Sequence, residues 1–110
     1  MEFEERTRGT ASVLAPRGKL NLVTAPAVKA KIDELVASGS PRIVVDLSEV
    51  TFMDSSGLGA LIGSLKSARQ AGGDMRIAAA GEQVRAVLKL TNLDRILAPH
   101  DTVEDASRGW

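Results

Sequence analysis

The sequence predicts one α/β domain: a mixed sheet of four to five strands with about four helices, in the order ββαβαβαβα. Two observations favour this class. Short apolar or alternating runs, typical of strands, recur between longer segments whose apolar residues follow helical spacing. The chain has 110 residues, which is the size of one hydrophobic core. Helices placed between apolar strands predict right-handed crossovers, so the later strands should run parallel.

The N-terminal part of the chain predicts a hairpin followed by a helix. Two strand-like stretches lie between Phe3 and Leu20, on either side of the turn Arg8-Gly9-Thr10. Thr24 is a good N-cap residue and Pro26 suits a first helical turn, so a helix should begin there. Its apolar stripe consists of Val28, Ile32, Leu35 and Val36. The sequence Gly-Ser-Pro at 39–41 ends it.

The middle of the chain predicts a buried strand, a loop and a second helix. The β-branched run Ile43–Val45 is typical of a central strand. A loop is expected from Ser48 to Asp54, and a helix of about four turns then runs to Gly72-Gly73. The apolar positions of this helix recur at i, i+3, i+4 and i+7: Leu58, Leu61, Ile62, Leu65 and Ala68.

The C-terminal part predicts smaller elements. Met75–Ala80 reads as a strand, and a third helix follows around Val84 and Leu88. Ile96–Ala98 is expected to be the last strand, before a short helix from Thr102. The segment 107–110, Ser107 to Trp110, is expected to be a frayed tail.

Composition excludes several classes of function. Fourteen basic and fourteen acidic residues cancel, and only three residues are aromatic, so direct nucleic-acid binding is not expected. Cysteine is absent, which excludes a disulfide framework and a thiolate metal site. The N-terminus is acidic where a signal peptide needs a basic region. No run approaches the roughly 20 apolar residues of a membrane span, so a cytoplasmic protein without a membrane partner is expected.

One segment carries the functional information. From Val45 to Gly59 the chain reads VDLSEVTFMDSSGLG. This block resembles the core signature of STAS domains, specifically of bacterial anti-sigma-factor antagonists that are phosphorylated on serine. A weaker match is Gly18–Asn21 leading into Thr24-Ala25, where Asn21 stands in place of the family's usual Asp. The resemblance covers nearly the whole chain, so residues 1–110 are expected to be a single STAS domain, although only the DSSGLG block is specific by itself.

The resemblance implies a switch in partner binding. Unphosphorylated members of the family bind an anti-sigma factor that is also a serine kinase, and a sigma factor is thereby released. The kinase phosphorylates the first serine after the Asp, which is Ser55 in this chain, and a separate serine phosphatase restores it. No cofactor, metal or catalytic residue is implied, and self-association stays open. The resemblance assigns partner binding to Asn21, Thr24, Asp54, Ser55, Ser56, Gly57, Leu58 and Gly59.

The same residues have simpler structural interpretations. Asp54, Ser55 and Ser56 precede a helix, where free N–H groups attract acceptor oxygens, so they can be an N-cap cluster and no more. Ser56 in particular is interpreted as a cap. Leu58 lies on the apolar stripe and is expected to reach the core. The glycines at 57 and 59 permit either close packing or close approach by a partner.

Two enzyme motifs are incomplete in this sequence. GLGALIG has two glycines of a dinucleotide fingerprint, but Ile62 occupies the place of the third. Met53 replaces the first glycine of a nucleophile elbow around Ser55, and the one histidine, His100, lies near the C-terminus. The sequence therefore does not predict an enzyme. The alternative within the same fold is a stand-alone STAS accessory subunit of a transporter or signalling assembly.

Overall fold

The computed structural model describes residues 1–110 and contains six strands and four helices. The strands are β1 (Glu2–Arg8), β2 (Ala11–Leu20), β3 (Arg42–Asp46), β4 (Val50–Met53), β5 (Asp74–Ala78) and β6 (Pro99–His100). The helices are α1 (Ala25–Ala37), α2 (Ser55–Gln70), α3 (Glu82–Leu90) and α4 (Val103–Ala106), with a 3₁₀ turn at Leu93–Arg95. The predicted α/β class with a mixed sheet is confirmed.

The sheet combines one antiparallel pair with parallel pairs. Its strand order is β1-β2-β3-β5-β6, and only β1 and β2 are antiparallel. The long strand β2 pairs with β3 through its first half and with β4 through its second half. Because the paired strands β2 to β6 are parallel, their carboxyl ends lie at one edge of the sheet. The turns after β2 and β4 therefore lie side by side.

The sheet buries both of its faces. One face packs against α1, α2 and α3 through a core of 19 buried residues, which includes Leu14, Ile32 and Leu61. The other face packs against α4 through a smaller cluster of five residues, among them Val13 and Ala106. Val13 and Leu14 are adjacent in β2 and point to opposite faces, as the pleat of a strand requires.

Two predicted details of the chain path were wrong. The segment expected to be a loop from Ser48 to Asp54 contains strand β4, which lies beside the end of β2. The last strand is not Ile96–Ala98 but Pro99–His100, because Ile96 follows the 3₁₀ turn and is exposed. The sheet consequently has six strands, one more than the upper number predicted.

The C-terminal segment is packed and not frayed. Ser107 is buried, and the carbonyl oxygen of Trp110 accepts a hydrogen bond from Thr10 at 3.3 Å. The guanidinium carbon of Arg76 lies 3.8 Å from the centroid of the Trp110 ring. The expectation of a frayed tail failed because these contacts come from the β1–β2 turn and from β5, both far away in sequence.

No helix of the structure combines the length and the apolar character needed to cross a membrane.

Candidate functional site

Ser55 is the first residue of α2 and its side chain is exposed. The preceding residue, Asp54, is the N-cap: its Oδ1 accepts the N–H of Gly57 at 2.9 Å, and its carbonyl accepts the N–H of Leu58 at 3.0 Å. The capping role predicted for this cluster belongs to Asp54 alone, since Ser56 caps no amide. Ser55 is thus presented to solvent at a fixed helix end.

Two neighbouring elements hold the chain just before Ser55. The N–H of Asp54 donates to the carbonyl oxygen of Leu20, the last residue of β2, at 3.2 Å. The side-chain amide of Gln83, on α3, makes two hydrogen bonds with the backbone of Met53. The approach to α2 is therefore fixed from β2 on one side and from α3 on the other.

The turn between β2 and α1 lies next to this helix end and is organised by Asn21. Its Oδ1 accepts the N–H groups of Val23 and Thr24 at 3.0 and 3.2 Å. The hydroxyl of Thr24 accepts the N–H of Asn21 at 3.0 Å and donates to the carbonyl of Lys19 at 2.7 Å. The helix begins where Thr24 predicted, but the threonine hydroxyl does not cap it. It braces the turn instead.

This turn displays two apolar side chains that sequence reasoning missed. Leu22 is 72% exposed and Val23 is 84% exposed, although both are large hydrophobic residues. Leu22 also borders a shallow groove of about 340 Å³ between α1 and α2, and Ser56 lies on the opposite side of that groove. The signal in the sequence was an apolar pair inside a turn, a place where polar residues are the rule.

The predicted partner-binding residues divide by exposure. Ser55 and Gly59 are exposed, whereas Asn21, Thr24, Asp54 and Ser56 are half-buried. Gly57 and Leu58 are buried, Leu58 with only 2% of its surface exposed. A Cβ on Gly57 would overlap the backbone of Leu20, so this glycine is required for packing. Leu58 thus reaches the core, as its place on the apolar stripe predicted, and neither Gly57 nor Leu58 has an exposed side-chain surface beside Ser55.

The site contains an exposed hydroxyl but no array of ligands for a metal. No group of three or more His, Cys, Asp or Glu side chains lies close enough together to hold an ion. The one basic residue that lines the groove is Lys29, and its Nζ lies 2.9 Å from Oδ2 of Asp33. The geometry presents the exposed hydroxyl of Ser55 next to a turn that exposes the apolar side chains Leu22 and Val23.

Comparison with known proteins places the chain in a family. The family model for the STAS domain matches residues 2–106. This chain belongs to the STAS domain family, which confirms the resemblance carried by the DSSGLG block.

Its relatives narrow the class further. A Thermotoga maritima protein assigned to the anti-sigma factor antagonists is 38% identical over 86% of this chain and 84% of its own length. The crystal structure of an anti-sigma factor antagonist from Thermotoga maritima, 35% identical, superposes with a TM-score of 0.87 and covers 94% of this chain and 90% of that one. The anti-sigma-F factor antagonist RsfB of Mycobacterium tuberculosis is 33% identical over 89% of this chain and 80% of its own.

A further structural neighbour has been solved in two chemical states. SpoIIAA, described as an anti-sigma factor antagonist, gives TM-scores of 0.73 for its unphosphorylated form and 0.72 for its phosphorylated form, the latter described as from Bacillus. The two matches cover 99 and 96% of this chain and 100 and 96% of SpoIIAA. At 22% identity they establish the fold alone.

Proposed function

We propose that this chain is an anti-sigma factor antagonist whose binding is switched by phosphorylation of Ser55. In this proposal the unmodified chain binds an anti-sigma factor that is also a serine kinase, and a sigma factor is released. The kinase then phosphorylates Ser55, binding ends, and a serine phosphatase restores the hydroxyl. The observation that carries the proposal is the exposed Ser55 directly after the cap Asp54, at the start of α2.

The proposed contact surface, called here the switch surface, joins the turn 21–24 to the start of α2. Its exposed members are Leu22, Val23, Ser55 and Gly59. Two large apolar side chains exposed together are typical of a surface that a partner covers. Since Gly59 has no atom within 4 Å of the place where a Cβ would lie, it leaves open space beside Ser55.

Phosphate on Ser55 would oppose contact at this surface. A phosphoserine carries about −1.5 to −2 charge at neutral pH. Burying that charge against Leu22 and Val23 without a paired cation would cost several kcal/mol, in the range expected for an unpaired buried ion. The helix end can offset only about 0.3–2 kcal/mol of this cost. Modification therefore favours the dissociated state.

The free domain is expected to tolerate the same phosphate. Ser55 is exposed, and the first amides of a helix have no intrahelical acceptor, so an anion is favourable at that position. SpoIIAA, which shares the fold, has been solved in a phosphorylated form. Phosphorylation should thus act on the interface and leave the fold intact.

In this proposal the protein acts by binding and is not an enzyme. Ser55 serves as the substrate of another protein's kinase activity. The relatives at 33 and 38% identity carry the name of anti-sigma factor antagonists, which favours this function over an accessory subunit of a transporter. Because the proposed partners regulate bacterial transcription, the proposed place of action is the cytoplasm.

The site of modification can be tested directly. Purified wild type, Ser55→Ala and Ser56→Ala would be incubated with an anti-sigma factor kinase from the same genome and Mg·ATP, then mapped by mass spectrometry. We expect one phosphate on the wild type and on Ser56→Ala, and none on Ser55→Ala. Label that persists in Ser55→Ala would show that another residue is the acceptor.

The effect on binding is tested by calorimetry against the same kinase. Ser55→Ala should bind like the wild type, whereas Ser55→Asp should bind about 100-fold more weakly, equivalent to roughly 2.7 kcal/mol. Ser38→Asp is a matched control, because it adds the same charge to an exposed serine at the far end of α1, about 20 Å along the helix axis from the switch surface. Equal affinities for Ser55→Asp and Ser55→Ala would contradict the switch.

A further inference from the structure

Gln83 forms a contact at strand β4 that none of the sequence motifs predicts. Its Nε2 donates to the carbonyl oxygen of Met53 at 2.9 Å, and its Oε1 accepts the N–H of Met53 at 2.8 Å. These are the two hydrogen bonds that a neighbouring strand would supply to one residue. Strand β4 pairs with β2 alone, so the amide of Gln83 takes the place of a missing strand at Met53.

Met53 lies two residues before Ser55, and the intervening backbone has little freedom. Met53 is 1% exposed and is paired in register with Leu20 of β2. Asp54 then donates its N–H to Leu20 and caps Gly57 with its carboxylate. Removing the Gln83 contact would leave β2 and the cap as the only polar restraints on this approach, and the Met53 carbonyl and N–H would each lose a partner.

We infer that Gln83 is a positioning residue for Ser55: through Met53 it sets the place and direction of the serine hydroxyl at the start of α2. The inference rests on the proposed function, since position matters only if Ser55 reacts or is contacted. Transfer to a hydroxyl requires the reacting atoms to approach within about 3–3.5 Å in alignment, and a displacement near 1 Å can cost about 100-fold in rate. The orientation of Ser55 therefore depends also on α3, a helix that carries no part of the switch motif.

Two variants separate the hydrogen bonds from packing, and a third serves as a control. Gln83→Met keeps an unbranched side chain of similar length and removes both hydrogen bonds. Gln83→Glu keeps an acceptor for the Met53 N–H but removes the donor to its carbonyl. Gln70→Glu is the matched control. It makes the same change of charge as Gln83→Glu, but at an exposed residue at the end of α2 that has no such contact.

The first measurement uses the free protein. Amide hydrogen exchange by NMR should be at least 10-fold faster for the Met53 N–H in Gln83→Met than in the wild type, and the signals of Asp54 and Ser55 should shift. In Gln83→Glu the Met53 N–H should stay protected. Unchanged exchange at Met53 in Gln83→Met would overturn the inference.

The second measurement follows phosphate transfer to Ser55 by the anti-sigma factor kinase, at a temperature where every variant is folded. We expect kcat to fall about 10-fold in both Gln83 variants while KM changes less than threefold, and Gln70→Glu to match the wild type. A purely structural role would lower the melting temperature and leave kcat of the folded protein unchanged, which would overturn the inference. A wild type that accepts no phosphate on Ser55 would instead overturn the proposed function, and the exchange experiment would still decide whether Gln83 orders residues 53–55.

Discussion

At the scale of single residues, Asn21 is a structural centre of the switch surface. Its Oδ1 satisfies two backbone N–H groups of the turn that presents Leu22 and Val23. Because this oxygen already accepts hydrogen bonds from the chain itself, Asn21 mainly fixes the shape of the turn and adds little contact area for a partner. The family's usual Asp at this position would provide the same acceptor with a charge.

Replacing Asn21 tests this role. Asn21→Ala removes the acceptor for both amides and should lower the free energy of unfolding by about 1 kcal/mol, as loss of a cap does. Asn21→Asp keeps the acceptor and strengthens it by charge at the start of α1, so it should be as stable as the wild type or more stable by about 0.3–1 kcal/mol. Urea denaturation of both variants measures the difference. Equal losses in the two would show that the oxygen is not the stabilising group.

The sequence predicted the polar part of the site and missed its apolar part. Asp54 and Ser55 could be predicted because a cap and its helix are adjacent in sequence, and the motif adds a specific pattern. Leu22 and Val23 are ordinary apolar residues whose exposure depends on how the turn leaves the sheet. The role of the Thr24 hydroxyl was likewise misjudged, since its acceptor at Lys19 depends on the path of the turn.

At the scale of elements, two glycines of α2 have opposite roles. Gly57 lies against the backbone of Leu20, where a Cβ has no room, whereas Gly59 faces open space. The first fixes how closely the start of α2 approaches β2. The second is unconstrained by the rest of the domain.

The pair therefore gives a matched prediction. Gly57→Ala should destabilise the domain by about 1–3 kcal/mol, the usual cost of overpacking. Gly59→Ala should stabilise it by up to about 1 kcal/mol, because alanine favours a helix interior. Thermal unfolding of the two variants measures both signs. A Gly57→Ala variant as stable as the wild type would mean that α2 shifts freely on β2.

Binding of the same two variants adds a separate test of the switch surface. If a partner approaches closely beside Ser55, Gly59→Ala should weaken binding even though it stabilises the fold. An unchanged affinity would show that Gly59 lies outside the contact.

The strand that sequence reasoning missed shows why short elements are hard to predict. In β4 the outer residues Val50 and Met53 are buried while Thr51 and Phe52 are exposed, so the alternation of a strand is broken. A register shift against β2 between Gly18 and Lys19 produces this pattern. The longer helices α1 and α2 have enough turns for their periodicity to be recognised. The strand β6 has only two residues and is too short to show any periodicity.

At the scale of the whole molecule, the two faces of the sheet carry different elements: one face carries the helix of the proposed switch surface, and the other is covered by the C-terminal segment. The helix that carries Ser55 packs on the face with the large core. The opposite face is closed by α4 and by Trp110, which packs against the small cluster around Val13 and Val44. Arg76 links Trp110 to α4, since it stacks on the Trp110 ring and donates a hydrogen bond to the carbonyl oxygen of Ala106 at 2.9 Å.

This division predicts that stability and switching can be altered independently. Trp110→Ala should lower the free energy of unfolding by about 1–3 kcal/mol, from lost apolar burial and lost cation–π contact. The rate at which the kinase modifies Ser55 in the folded protein should stay within twofold of the wild type. Trp110→Phe, which keeps a ring over Arg76, should lose less stability. A large change in Ser55 modification would show that the two faces are coupled.

Trp110, which stacks against Arg76, is also an intrinsic fluorescence probe of folding. The chain has one tryptophan and no tyrosine, so its near-ultraviolet emission comes from Trp110, on the face of the sheet that α4 covers. Unfolding should shift that emission, whereas occupation of the switch surface should leave it nearly constant. Because the chain has no cysteine, a single introduced thiol can carry a second dye; Ala27→Cys, exposed in the first turn of α1, places that dye near the switch surface but outside it. Two colours would then follow loss of structure and engagement of a partner in the same sample.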